Sequence, residues 1–144
     1  MISFTVPSVP VPQPRPRIGM RFGKGGAKYP GVMRDESHPV HSFKASVQKS
    51  ARNAYSGPPL ELALTLSAVF VLPRPKSLCR KKDNPGRLWC PAKKDLDNLV
   101  KSVCDSLNGV TFRDDGQIVR MVLTKYYAAM NEQPCVEVVI EEVG

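Results

Sequence analysis

The chain has 144 residues, 42% hydrophobic and 24% charged, with 21 Lys and Arg against 13 Asp and Glu for a formal net charge of +8. That size and balance suit one globular domain over residues 1–144 built on a single core, and no apolar run approaches the ~20 residues that cross a bilayer. The start MISFTVPSVPVP lacks the basic-then-apolar layout of a secretion signal, so a soluble cytoplasmic protein is expected, with no membrane partner.

In chain order, ISFTV (Ile2 to Val6) alternates apolar and polar residues and predicts a strand, which prolines at 7, 10, 12, 14 and 16 end in an extended segment. Residues 17–37 read as a glycine-rich, basic loop. From Ser42 to about Tyr55, Phe43, Val47, Ala51, Ala54 and Tyr55 recur at helical spacing opposite Lys44, Gln48, Lys49 and Arg52. This amphipathic helix is stopped by Gly57-Pro58-Pro59. Leu60, Leu62, Leu64, Leu66, Ala68, Phe70 and Leu72 are in phase at period two, which predicts one long strand with a buried face. A basic loop over 73–94 leads to a helix from about Asn98 to Leu107, closed by the left-handed signal Asn108-Gly109. Ile118 to Tyr127 and Val136 to Glu141 read as strands, and AAMNEQP between them is short enough for a hairpin. The order β-α-β-α-β-β predicts an α+β fold, a mostly antiparallel mixed sheet with two main helices packed on it.

Cys79, Cys90, Cys104 and Cys135 form no CxxC pair, which argues against a zinc ribbon or a disulfide framework and for reduced thiols. A bridge between Cys79 and Cys90 across the basic loop is the alternative. Positive charge is clustered: six basic and no acidic residues from Met1 to Arg34, and eight basic residues against Asp83 alone from Arg74 to Lys94. Pro- or Gly-rich loops carrying such clusters suit a phosphate backbone, whose neutralisation releases counterions. The bland reading is a solvated face. Arg15, Arg17, Lys24, Lys28, Arg80, Lys81, Lys82, Lys93 and Lys94 are the expected phosphate contacts to nucleic acid. Trp89, in the second loop, either stacks on an exposed base or packs on its own domain. His38 and His41 suit capping or surface roles better than a metal, because no third ligand is adjacent. GKGG (Gly23 to Gly26) lacks the context of a phosphate-binding loop, so no nucleotide cofactor is expected.

Against this basic background stand Asp95, Asp97, Asp105, Asp114 and Asp115, five aspartates in 21 residues, with Lys101 among them. Leu99, Val103 and Leu107, with Val100 and Cys104 alongside, form the core stripe of the predicted helix and leave Asp97, Lys101 and Asp105 on the other side. A helix folded back on the sheet would bring Asp114 and Asp115, at the start of the following strand, near Asp97. Carboxylates of this kind are hard ligands for Mg²⁺ or Mn²⁺, which can activate water for displacement at phosphorus. Lys101 would neutralise phosphate charge, or it would pair with Asp97 or Asp105 at the helix surface. Each aspartate also has a structural use. Asp97 can cap the helix, and Asp114-Asp115-Gly116 makes an ordinary turn.

DLDNLVKSVCDSLNGVTFRDDGQIV resembles the signature of the RusA-like Holliday-junction resolvases of phages and prophages, with Asp-x-Asp-Asn-Leu-x-Lys, Asp-x-Leu and Asp-Asp-x-Gln-Ile in order. VPSVPVPQPRPR is similar to the proline-rich first strand of phage members, although Lys94 stands where many relatives have Pro. The resemblance implies a homodimeric, Mg²⁺-dependent crossover junction endodeoxyribonuclease (Mn²⁺ substituting) that nicks opposing strands of four-way DNA in recombination and repair. It implies Asp95, Asp97 and Asp115 as metal-binding carboxylates and Lys101 as the essential lysine. Asp114 and Asp105 match further acidic positions. The bacterial host cytoplasm is the implied location. A non-catalytic DNA-binding protein and a broader flap or fork nuclease are the alternatives.

Overall fold

The computed structural model describes residues 1–15, 17–22, 26, 28–33 and 37–144, with only the backbone described for 17–22 and 28–33. The strands in chain order are β1 (Ile2–Val6), β2 (Arg17–Phe22), β3 (Lys28–Met33), β4 (Leu64–Leu72), β5 (Leu88–Trp89), β6 (Ile118–Tyr127) and β7 (Cys135–Glu142). The helices are α1 (Val40–Ala54) and α2 (Leu96–Leu107). Five strands form one sheet in the order β1-β7-β4-β6-β5. The expected β-α-β-α-β-β order stands, with a hairpin and a two-residue strand added to it.

The long period-two segment occupies the centre of the sheet. Leu64, Leu66, Ala68 and Phe70 of β4 are buried beneath the helices, together with Val136, Val138 and Ile140 of β7 and Ile2, Phe4 and Val6 of β1. Phe43, Val47 and Ala51 of α1 and Leu99, Val103 and Leu107 of α2 cover them. Each such large side chain contributes about 1.5–3 kcal/mol on burial. Strand β4 begins at Leu64 rather than Leu60. Leu62 is exposed, and the carbonyls of Leu60 and Leu62 are taken instead by the segment ahead of β6.

Two sequence expectations change. Residues 128–134 do not close a hairpin, because β4 lies between the two strands they join: it pairs in parallel with β6 and antiparallel with β7. The connection crosses the end of β4, where Ala128 N–H donates to Leu72 O at 2.8 Å, and Asn131 takes the left-handed conformation (φ 69°). The basic segment 17–37 contains an antiparallel ribbon, β2 with β3, from Arg17 opposite Met33 to Phe22 opposite Lys28. Pro30 is tolerated in β3 because in a two-stranded ribbon one edge of each strand needs no partner.

Strand β4, helix α2 and strand β6 form a parallel crossover, so α2 runs back along the strands. Its N-terminus therefore lies at the end where β4 and β6 finish, and its C-terminus at the end where they start. The proline-rich segment crosses α2: Gln13 N–H donates to Asn98 O at 2.9 Å, and Ser102 Oγ donates to Val11 O at 2.8 Å. Gly109 (φ 78°) ends α2 in the expected left-handed turn. All four cysteines are free thiols.

Candidate active site and nucleic-acid surface

Helix α2 starts two residues earlier than a cap at Asp97 requires. Asp95 is the N-cap, in extended conformation, and its side chain makes no capping hydrogen bond; Asp97 sits in the first turn. Both residues are exposed, and among the described residues neither carboxylate has a hydrogen-bond or ion-pair partner. The structural role expected of Asp97 is thus corrected, while its position near the positive end of the helix dipole remains favourable.

The second acidic pair divides its labour. Asp114 caps a short 3-10 turn over Asp115–Gln117: its Oδ2 accepts from Gly116 N–H at 2.9 Å, and Gln117 Oε1 accepts from Asp114 N–H at 2.9 Å. Gln117 Nε2 also donates to Leu60 O and Leu62 O, each at 2.9 Å, which pins the turn beside the entry to β4. The sequence reading missed Gln117, although Asp114-x-x-Gln117 is a capping-box spacing. Asp115, half-buried, is left without a capping role. It lies close enough to α2 to act, after burial itself and ahead of Asp105, on the Cys104 thiol, which is pushed up to about 12. Lys101 works in the opposite direction on the same thiol. Asp105 is occupied by Lys44 of α1, Nζ to Oδ2 3.9 Å. Lys101 is exposed, with no ion pair to Asp97 or Asp105.

The structure does not bring Asp115 to Asp95 and Asp97 within one chain. Asp115 precedes Ile118, which faces Leu64 at the start of β4. Asp95 follows a segment tied to the other end of β6, where Lys125 Nζ donates to Ala92 O and Lys94 O, each at 2.7 Å, and Lys125 faces Phe70. At ~3.3 Å per strand residue the two ends are about 20 Å apart. Accordingly, among the described residues no three His, Cys, Asp or Glu side chains converge as a metal site. The fold expected at the sequence level, with the strand start near Asp97, is reversed by the antiparallel course of α2. Asp95 and Asp97 by themselves still suit Mg²⁺, which binds through one or two carboxylates and keeps its waters.

The basic loop 73–94 is a built structure. Arg74 donates to Leu78 O at 2.8 Å, Gly86 O at 2.9 Å and Asn84 O at 2.6 Å, acting as an internal scaffold. Arg87 pairs with Glu132 at 2.8 Å and Glu137 at 2.7 Å, which raises its pKa, chiefly through the Glu132 hydrogen bond. Arg80 is held by Asp83, which accepts from its backbone and its guanidinium and is itself lowered by that side-chain hydrogen bond. Lys76, Lys81, Lys82, Lys93 and Lys94 are left exposed, with no ion pair among the described residues. Arg15 is exposed at the end of the proline-rich segment. Arg17 and Lys28 lie on β2 and β3, where only the backbone is described, and Lys24 lies outside the described residues. His38 serves as a helix-start acceptor: Val40 N–H donates to its Nδ1 at 3.1 Å. Among the described residues no helix is long and apolar enough to cross a membrane.

Comparison with known proteins identifies the family. The family model described as endodeoxyribonuclease RusA matches residues 7–141. A protein of Bacillus subtilis (strain 168), described as uncharacterized protein YqaN, is 34% identical over 150 residues, covering 99% of this chain and 97% of the relative. The match runs through the proline-rich segment, the basic loop and both acidic pairs, so the chain belongs to the endodeoxyribonuclease RusA family, metal-dependent nucleases that resolve Holliday junctions.

Proposed function

We propose that this chain acts as a cytoplasmic homodimer in which each active site combines Asp95 and Asp97 of one subunit with the partner subunit's Asp115, around Mg²⁺. The observation that carries this reading is the placement of Asp115 ahead of the start of β6 and of Asp95 beside its far end, about 20 Å away along the strand, with an open sheet edge between them. Strand β5 covers only Tyr126 and Tyr127 of β6. Among the described residues no other strand pairs with that edge, and Val119, Met121 and Val122 are 65, 42 and 51% exposed. An unpaired apolar edge of this length invites another strand. Two β6 edges set antiparallel about a two-fold axis near Met121 would carry Asp115 toward the partner subunit's Tyr127, beside that subunit's Asp95. Isologous pairing of this kind also supplies the two matched sites that symmetric nicking needs.

In this arrangement bound Mg²⁺ supplies charge neutralisation at the scissile phosphate and a more acidic water. Asp95 and Asp97, which have no partner among the described residues, would hold the ion. Lys101, one helical turn beyond Asp97, faces the same side and offsets negative charge at the phosphate. Asp114 and Asp105 are assigned to the turn and to Lys44, outside the chemistry. Lys81, Lys82, Lys93 and Lys94 contact DNA phosphates, with Arg15 and the β2–β3 ribbon, including Arg17 and Lys28, as a second surface; Arg80 contributes less because Asp83 already accepts from it.

The test is cleavage of a labelled mobile four-way junction, with linear duplex and flap DNA alongside, by wild type and Asp97→Asn in Mg²⁺ and in EDTA. Paired symmetric nicks that vanish in EDTA and in the variant, while junction binding persists, support the reading. Equal cutting by Asp97→Asn would remove Asp97 from the site.

A further inference from the structure

Trp89 is the only tryptophan of the chain, and it is 72% exposed. Indole is among the most costly side chains to leave in water, so an exposed one that is also rigidly held calls for a partner. Its ring stacks on Tyr126, with centroids 4.7 Å apart and planes at 23°, so one indole face is backed and the other is open. The backbone on either side is fixed. Arg87, one residue beyond Leu88, is clamped by Glu132 and Glu137 and lies 6.0 Å over the Tyr126 ring, while Cys90 N–H donates to Lys125 O at 3.3 Å. The rotational freedom that stacking would cost is therefore already restricted.

The surroundings select the partner. Lys93 and Lys94 follow within five residues, and Lys81 and Lys82 belong to the same built loop. So cationic a surface is complementary to an anionic chain, and an anionic chain carrying aromatic faces matches the indole as well as the lysines. Lys125 fixes the Ala92 and Lys94 carbonyls, so the platform is held at most about 20 Å of chain from Asp95. In a continuous duplex each base face is covered by its neighbours. A base free to stack on protein exists where strands part.

We propose that the open face of Trp89, backed by Tyr126, is a stacking site for a nucleobase unpaired at the branch point, with Lys93 and Lys94 on the adjoining phosphates. The proposal rests on the nuclease reading above for its substrate and adds a residue that distinguishes branched from linear DNA. It makes Trp89 a specificity-determining residue outside the metal chemistry.

Because Trp89 is the sole tryptophan, its emission reports the contact directly. The full-length protein is titrated in EDTA with a four-way junction and with linear duplex of the same sequence, beside Trp89→Phe and Trp89→Ala. Stacking predicts saturable quenching by the junction and little by duplex. Trp89→Phe should keep junction affinity within a few-fold, whereas Trp89→Ala should lose roughly tenfold or more on the junction and little on duplex. Junction binding with unchanged emission, or equal junction affinity for Trp89→Ala and wild type, overturns the platform and leaves the nuclease reading intact. Dissociation of Trp89→Ala into monomers on sedimentation overturns it in favour of a subunit contact. No junction binding by wild type removes both readings.

Discussion

Mixing two inactive subunits separates a site built within one chain from a site shared between two. Asp115 lies ahead of the start of β6, while Asp95 and Asp97 open α2 beside its far end, about 20 Å away along the strand, so a site drawing on all three carboxylates is not assembled within a single chain. Asp97→Asn and Asp115→Asn homodimers should each be inactive. In a heterodimer of the two, one site pairs both damaged residues, and the other pairs an intact Asp97 with the partner's intact Asp115. Random reassortment of equal amounts makes half the dimers mixed with one good site in two, so about a quarter of the wild-type sites return. The assay is nicking of an end-labelled four-way junction in Mg²⁺ after co-refolding, or with heterodimers purified through two different tags. The expected product is single nicks, with paired resolution still absent, because only one site per dimer works. Heterodimers as inactive as both parents would refute the shared site.

Three further outcomes follow from the same geometry. Met121→Glu, at a side chain 42% exposed in the monomer, should leave the fold intact but place like charges directly opposite each other at the two-fold axis, costing several kcal/mol of association; a dimer unchanged by analytical ultracentrifugation would rule out the β6 edge. Gln117→Ala removes the side chain that joins the Asp114 turn to Leu60 and Leu62, and should lower stability by about 1–2 kcal/mol in urea unfolding, with no loss if those hydrogen bonds are dispensable. Arg87 holds the Glu132 carboxyl below its ordinary value of 4.5 by hydrogen bonding, so the clamp's contribution is complete above that pH and lost as pH falls through the lowered value. Trp89 emission should therefore change below about pH 4.5 in wild type and not in Glu132→Gln; identical acid titrations of the two would refute the clamp.

Local periodicity made much of the fold readable. Ile118–Tyr127 appears with the expected bounds, the Leu99, Val103, Leu107 stripe of α2 is buried, and Gly109 takes the positive φ that glycine permits. These features are set by neighbours a few residues away, where side-chain spacing and backbone sterics act directly. The acidic clusters, the basic loop and the family resemblance were likewise visible, because they consist of residue types in order.

Partnership was decided only in three dimensions. A strand has two edges, and its alternation does not say which neighbour each will take, so the short 128–134 link suggested a hairpin where β4 in fact separates β6 from β7. Charge alone did not distinguish Arg74 and Arg87, which brace the loop, from Lys93 and Lys94, which face solvent. Nor could the order of the aspartates show that Asp114 is consumed by a cap while Asp115 is not, or that α2 runs back along the sheet and holds the two acidic groups apart. Sequence specifies which groups can bind a metal or a phosphate. The direction of a crossover helix decides which of them one chain can bring together.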